Sequence, residues 1–411
     1  MQKAPLSQVI DEEYNLDKAL VIARVILDNH NRVKEQGVNF AQNYIYQKGV
    51  KLYGKKGKDA SFKKLDQLHR RNCFTPIDIK ELTPKEKAQA MEALMFLTEK
   101  KDRTIKGRMV YNGKPTREWL SREDSASPTA ALESIFLTSI VDAKEGRDVM
   151  SADVPNAFIQ TDMPDDSNKV VMKITGVLVH LMVEMAPEVY GPYVVYENGK
   201  KVLYVRVLKA LYGMLVASLL WYTKFKKDLE ACGFKFNPYD PCVANKMVNG
   251  KQHTVRFHVD DLMCSHIDPA VNTKFLKWLN TKYGSYGEVK ATRGKIHNYL
   301  GTEFNFSRPG HVIIGMTQYM KAMVDDFPMK FKPSDTAQTP AASDLFAKGD
   351  SSPLNEEQAE VCHTFIAKAL FACKQARPDI QPTVTALCTR VKEPNQDDWN
   401  KLIHLLKYIN C

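Results

Sequence analysis

Two adjacent carboxylates, Asp260 and Asp261, sit in the run Phe257-His258-Val259-Asp260-Asp261-Leu262-Met263, whose other members are mostly apolar. An ionised carboxylate in such surroundings carries a large desolvation cost, which pairing, hydrogen bonding or metal coordination must offset. A divalent metal is the simplest partner. Upstream, Asp153 in Asp153-Val154-Pro155-Asn156-Ala157-Phe158 is another carboxylate at the end of an expected strand. If the two strands are neighbours, three carboxylates converge. Such a set suits two Mg²⁺ ions ~4 Å apart, which activate an attacking hydroxyl and stabilise a leaving phosphate oxygen. Phosphoryl or nucleotidyl transfer fits it more readily than proton chemistry.

Aspartate pairs recur in this chain, so context has to separate them. Asp325-Asp326 falls on the solvated face of an expected helix in which Met320, Met323, Val324 and Phe327 recur at helical spacing. Asp165-Asp166 and Asp397-Asp398 lie in polar runs and read as surface loops. Around Asp260-Asp261, by contrast, Thr254 to Val259 and Leu262 to Cys264 favour strand, and Asn249-Gly250 is a hairpin signal, so the pair is expected at a tight turn between strands.

The elements that must position these carboxylates follow a plan of helical, then mixed, then helical sequence. Leu16, Leu20, Ala23, Ile26 and Leu27 predict a first helix that stops near Gly37, and Phe40 to Leu52 predicts a second. Thr83-Pro84-Lys85-Glu86 combines an N-cap, a proline at the first helical position and a glutamate at the third, predicting a helix through about Thr98. From Lys101 onward the expected elements are a strand from Arg103 to Tyr111, a helix from Ala131 to Ala143, and a strand from Val149 to Ala157. Hairpins follow at Asn198-Gly199 and Asn249-Gly250, with a helix carrying Leu215, Leu219, Tyr222, Phe225 and Leu229 between them. A hairpin turning at Pro309-Gly310 closes the mixed region. Helices are then expected over Thr317 to Phe327, Asn355 to Lys374, Gln381 to Val391 and Asp397 to Ile409, with residues 328–354 as a linker.

Composition bounds the function. With 411 residues and 44% hydrophobic content the chain can bury a sizeable core, and its net charge of +10 favours a polyanionic partner. Lys48, Lys51, Lys55, Lys56, Lys58, Lys63, Lys64, Arg70 and Arg71 crowd one segment among Tyr44, Tyr46, Tyr53 and Phe62. That mixture suits phosphate contact and base stacking, and equally suits a solvated surface. The eight cysteines show no zinc-like spacing and read as reduced thiols. No apolar stretch is long enough to span a membrane and no apolar leader is evident, so an intracellular, non-membrane protein is expected.

From about Lys101 to Asn410 the chain resembles the reverse transcriptase region of copia-type LTR retrotransposon polyproteins. The resemblance is carried, in the family's order, by Ser127-Pro128 with Glu133-Ser134-Ile135, by Asp153 to Phe158, by Ala210-Leu211-Tyr212-Gly213 with Trp221-Tyr222, by His258 to Leu262, by Asn298 to Glu303, and by Arg377-Pro378-Asp379-Ile380 with Leu405 to Ile409. It implies an α+β right-hand polymerase of fingers, palm and thumb with an antiparallel palm sheet. A helical N-terminal extension would occupy residues 1–100, fingers and palm 101–315, and a thumb or connection-like helical region 316–411. By motif match Asp153, Asp260 and Asp261 become the metal-binding carboxylates, with the Val154 carbonyl as a further ligand. Two Mg²⁺ ions are the implied cofactor, with Mn²⁺ as a substitute.

The same resemblance assigns nucleotide contacts. Phe158 matches the aromatic steric gate against a ribose 2′-hydroxyl, its alternative being a core phenylalanine. Lys106 and Arg108 fall where relatives place cations on the incoming triphosphate, and Tyr212 and Gly213 fall near the templating base. Implied partners are an RNA or DNA template-primer, deoxynucleoside triphosphates, and RNase H and integrase parts of the same polyprotein. A cytoplasmic setting in virus-like particles with later nuclear access goes with them, and oligomeric state stays open. The sequence departs from the family at His258, where an aromatic residue is usual, and at Leu215-Val216-Ala217-Ser218, where relatives carry lysine or glutamine. No RNase H acidic cluster, integrase motif or protease motif is visible. The alternative reading is therefore a degenerate retroelement fragment that binds nucleic acid without polymerising.

Overall fold

The computed structural model describes residues 43–100, 102–118, 120–121, 123–164, 170–347 and 349–410. The helix expected to stop near Gly37 and the Asp165-Asp166 pair lie outside the described residues.

In chain order the first half comprises β1 (Asn43–Ile45), α1 (Tyr46–Arg70), β2 (Phe74–Pro76), α2 (Pro84–Gln89), β3 (Met91–Glu99), β4 (Ile105–Tyr111), α3 (Leu132–Lys144), β5 (Asp148–Asp153), β6 (Val171–Thr175), α4 (Val177–Met185), α5 (Pro187–Tyr190), β7 (Val195–Glu197) and β8 (Lys200–Val207). The second half comprises α6 (Ala217–Ala231), β9 (Lys235–Phe236), β10 (Val243–Val248), β11 (Lys251–His258), β12 (Asp261–His266), α7 (Pro269–Tyr283), β13 (Lys290–Gly294), β14 (Ile296–Tyr299), β15 (Thr302–Asn305) and β16 (Ile313–Gly315). Four helices follow, α8 (Thr317–Asp326), α9 (Glu356–Gln375), α10 (Gln381–Cys388) and α11 (Gln396–Ile409).

Two N-terminal expectations need correction. Thr83 and Glu86 do form the expected capping box on α2, but that helix stops at Gln89. Met91, Ala93, Met95 and Leu97 are then buried at alternate positions of β3 rather than along a helical stripe. Their helix propensity is overridden because β3 is paired on both sides, with β4 along one edge and with β1 and β6 along the other. The helix expected over Phe40 to Leu52 is instead a short strand followed by α1, which runs on to Arg70 through a kink at Gly54. Gly49 and Gly57 let α1 lie tightly on β3, since a Cβ at Gly49 would meet Leu97 at 2.8 Å.

A seven-stranded sheet orders as β1-β3-β6-β8-β2, with β4 on β3 and β7 on β8. Its core runs from Leu65 and Leu68 of α1 to Val179 and Met182 of α4, so the described part of residues 1–100 shares one core with later residues. The six-stranded sheet β13-β5-β12-β11-β10-β9 carries the carboxylates. Trp221, Phe225 and Leu229 of α6 and Phe275, Leu279 and Tyr283 of α7 cover one face, against Met150, Ala152, Val255, Phe257, Leu262 and Cys264. Ile135 of α3 and Tyr299 and Phe304 of the three-stranded sheet β14-β15-β16 cover the other, against Val149 and Met263. Fully buried Arg256, also on that second face, donates to Asp142 of α3 at 2.8 Å. A third core joins α8 to α11. Asp325 and Asp326 are exposed on α8 as expected, whereas Asp398, expected in a surface loop, is buried and completes a capping box with Asn395 on α11.

Candidate active site

Alternation along β5 and β12 brings the three carboxylates to one end of the six-stranded sheet. Asp153 is the last residue of β5 and stands in register opposite Asp261, the first residue of β12. His258 and Asp261 close the β11–β12 hairpin, leaving Val259-Asp260 as a two-residue turn. On the other side of β5, Lys290 of β13 pairs with Asp153.

The turn is strained and clamped. Val259 has φ 59°, a left-handed conformation that a β-branched residue adopts at a cost of about 1–3 kcal/mol. Three hydrogen bonds hold the backbone there. The Trp221 indole N–H donates to the Val259 carbonyl at 2.7 Å, the Val154 N–H donates to the Asp260 carbonyl at 3.1 Å, and the Tyr299 hydroxyl donates to the Asp261 carbonyl at 3.4 Å. Sequence reasoning placed Trp221 and Tyr299 in motifs without giving either a task. Their indole and phenol types, each an apolar body with one donor, were the available signal.

Burial raises the Asp260 carboxyl above its ordinary range, and Asp261 and Asp153 add to the effect. Asp261 is raised by burial and then by Asp153. Among the described residues no ion pair reaches any of the three. Burial pulls the His258 imidazole down, opposed by Asp260, and its buried Nδ1 has no hydrogen-bond partner among the described residues.

The expected nucleotide contacts gather beside the carboxylates. Phe158 and Tyr212 pack with ring centroids 4.8 Å apart, and the Arg108 guanidinium lies 5.7 Å from the centre of the Tyr212 ring. Burial pushes the Tyr212 phenol up to about 12, with Asp260 adding to it and Arg108 opposing. Lys106 is lowered by burial and by Arg108 and Lys100, while Asp153 and Asp260 act in the opposite sense. Gly213 has φ 90°, and a Cβ there would stand 2.2 Å from the Tyr111 carbonyl oxygen; a Cβ on Gly113 would likewise stand 2.2 Å from that of Gly213. The close backbone approach at Gly213 is thus to the chain's own 111–113 loop. Val216, at the start of α6, packs against the first core and brings no polar group.

Hard oxygen donors held together without a cationic partner among the described residues are the chemistry a divalent cation requires. Asp153, Asp260 and Asp261 fit such a group by type and placement. Among the described residues, however, no three His, Cys, Asp or Glu side chains already form a ready-made cage.

Residues 82–343 match the family described as reverse transcriptase (RNA-dependent DNA polymerase). The chain belongs to that family. The reverse transcriptase match encloses the three carboxylates and both clamping residues, and the α+β architecture with antiparallel sheets accords with the right-hand polymerase fold expected from the sequence. A curated relative, the retrovirus-related Pol polyprotein from transposon TNT 1-94 of Nicotiana tabacum, is 22% identical over 312 residues, or 74% of this chain. The chain spans 21% of that polyprotein's length. Among solved structures it is similar to the foamy viral protease-reverse transcriptase in complex with double-stranded DNA, at 11% identity, TM-score 0.44, 87% of this chain and 48% of that one. It is also similar to telomerase from Candida albicans in complex with a telomeric RNA fragment, at 10% identity, TM-score 0.35, 86% of this chain and 65% of that one. No described helix is long and apolar enough to cross a membrane.

Proposed function

We propose that this chain is the polymerising part of a retroelement polyprotein, extending a primer with deoxynucleotides on an RNA or DNA template. The observation that supports it most is the register of Asp153 opposite Asp261, next to Asp260, in a carboxylate set with no ion pair among the described residues. Asp153, Asp260 and Asp261, with the Val154 carbonyl, would hold two Mg²⁺ ions. When bound, these would supply Lewis-acid activation of the primer 3′-hydroxyl and neutralise charge at the phosphate under attack. The chain's own residues do the positioning. Phe158, held by Tyr212, borders the sugar of the incoming nucleotide, and Lys106 and Arg108 attract its phosphates. Family membership alone supports the RNA template, and basic surface supports nucleic-acid binding.

The second reading, a remnant that binds nucleic acid without polymerising, is favoured by the apolar packing of Val216 where relatives carry a polar side chain. Primer extension on an RNA template with Mg²⁺ or Mn²⁺ separates the two. Extension by the wild type that is lost in Asp153→Asn supports the polymerase. Retained template-primer binding with no extension under either metal establishes the remnant instead.

A further inference from the structure

Between Asp153 and Phe158 the chain leaves β5, bends sharply and enters a short helical turn over 157–160. Asn156 makes the bend with φ 55°, a left-handed conformation that asparagine tolerates better than most residues but still at a cost. The segment also crosses a seam between two cores. Ala157 is buried in the core over the carboxylate sheet, Ile159 in the core of the seven-stranded sheet, and Phe158 packs partly against both. Apolar packing fixes the two flanks and leaves the polar backbone of the bend to be held by something else.

Gln160 supplies that hold. Its Nε2 donates to the Pro155 carbonyl at 3.2 Å and to the Tyr283 carbonyl at 2.9 Å. Both partners are acceptors, so only the amide nitrogen can face them, and its two hydrogens are both used. The first bond closes the bend from residue 160 back across Asn156 and Phe158. The second ties the bend to the last turn of α7, where a helix leaves its carbonyls without intrahelical N–H partners. That anchor is firm, because Tyr283 is buried, its hydroxyl donates to Asp228 at 2.6 Å, and its ring meets Trp221 edge-on with centroids 5.2 Å apart. Trp221 also clamps the Val259 carbonyl, so the bend that carries Phe158 and the turn that carries Asp260 lean on one Trp221–Tyr283 pair. From outside, a Cβ on Gly287 would stand 3.5 Å from the Pro155 Cβ, so the segment after α7 packs on the same bend.

We propose that Gln160 is the positioning residue for sugar selection: by tying Pro155 to the end of α7 it fixes how far the Phe158 ring stands from the carboxylates, and so the room left for a ribose 2′-hydroxyl. With Phe158 placed as in the proposed function, on which this role rests, Gln160 acts through that ring and not on the substrate itself. Competitive single-nucleotide extension by the full chain, a deoxynucleotide against the matching ribonucleotide on one template-primer, measures it. Gln160→Met keeps the length of the side chain and removes both donors. Preference for the deoxynucleotide should fall roughly five- to tenfold, the weight of one or two lost hydrogen bonds, through a higher kcat/KM for the ribonucleotide, while template-primer affinity holds. Amide hydrogen exchange over residues 156–161 should quicken in the same variant. The double variant Gln160→Met/Phe158→Val should select no differently from Phe158→Val alone, because the two residues act as one unit.

Unchanged selectivity in a folded Gln160→Met chain overturns the proposal. So does an equal loss of rate with both nucleotides, which would make Gln160 a support of the fold, and so does a double variant in which the two losses of selectivity add. If Gln160→Met does not fold, Gln160→Asn, which keeps the amide on a shorter arm, must lose selectivity in its place, and an unchanged ratio there overturns the role. Should the wild type not extend primers, the polymerase reading fails by itself, and the same ratio is read from nucleotide binding to the chain with template-primer bound. A deoxynucleotide preference that Gln160→Met lowers then upholds the role of Gln160, and a preference that is absent or unmoved overturns it.

Discussion

Burial and mutual repulsion raise the carboxyls of Asp260 and Asp261, so the folded chain binds their protons more tightly than the unfolded chain. Stability attributable to them therefore falls as pH rises from the ordinary carboxylate value of about 4 through the raised one, and at neutral pH the full cost is present. Asp260→Asn removes one charge. It should abolish extension yet raise the unfolding temperature at pH 7 by about 1–3 °C, on the order of 0.5–1 kcal/mol after allowance for solvent screening. The gain should vanish below about pH 4, where the wild-type carboxyl is protonated as well. Scanning calorimetry at both pH values without added metal checks this; an equal gain at both would refute the charge argument. Phe158 is a separate case, because its ring is half-buried and held by Tyr212 at 4.8 Å. Phe158→Val should increase ribonucleotide over deoxynucleotide incorporation by tenfold or more, about the discrimination that one well-placed group provides. Selectivity that does not move would assign Phe158 to the core.

At the scale of elements, the site depends on a turn that its own sequence disfavours. Val259 is left-handed at φ 59° only because Trp221, Val154 and Tyr299 fix the backbone on either side. Trp221→Phe keeps an aromatic body against Phe225 and Tyr283 but leaves the Val259 carbonyl without its donor. It should cost about 1–3 kcal/mol of stability. A relaxed turn should also raise the Mg²⁺ concentration needed for half-maximal extension several-fold while template-primer affinity holds. Metal titrations of extension rate against a binding isotherm would show it, and an unchanged metal requirement would make Trp221 a packing residue only. Trp221 and Tyr299 were visible as motif members, but their convergence was not, because it depends on α6 and β14 lying across opposite faces of one sheet. Short-range signals were legible where geometry is local: Asn198-Gly199 and Asn249-Gly250 both make the expected hairpins with positive φ at each residue. β3 was misread because pairing from two sides outweighed good helix formers. The unexpected α7 had its signal in Asp268-Pro269 ahead of Val271, Phe275 and Leu279.

For the whole molecule, the carboxylate site and the excess of positive charge have to be considered together. The net charge of +10 is not spread evenly, because α1 exposes Lys51, Lys55, Lys56, Lys58 and Lys63 on the side away from its buried face. The sequence left that run open between a nucleic-acid contact and a solvated surface, since composition does not reveal which lysines share a face. The structure separates them: Lys64 turns inward against β4, while the others stay in water. Duplex binding that releases counterions makes log K fall linearly with log salt by about 0.9 per phosphate contacted. Replacing Lys55, Lys56 and Lys58 with glutamine should therefore lessen the salt slope for template-primer binding by about 2–3 if all three reach phosphates. Stability should change little, because the three side chains are exposed and distant from the core. Affinities at several salt concentrations between about 50 and 200 mM suffice to measure the slope. A slope identical to the wild type would mean that this face of α1 serves solubility, and that the nucleic acid is held elsewhere on the molecule.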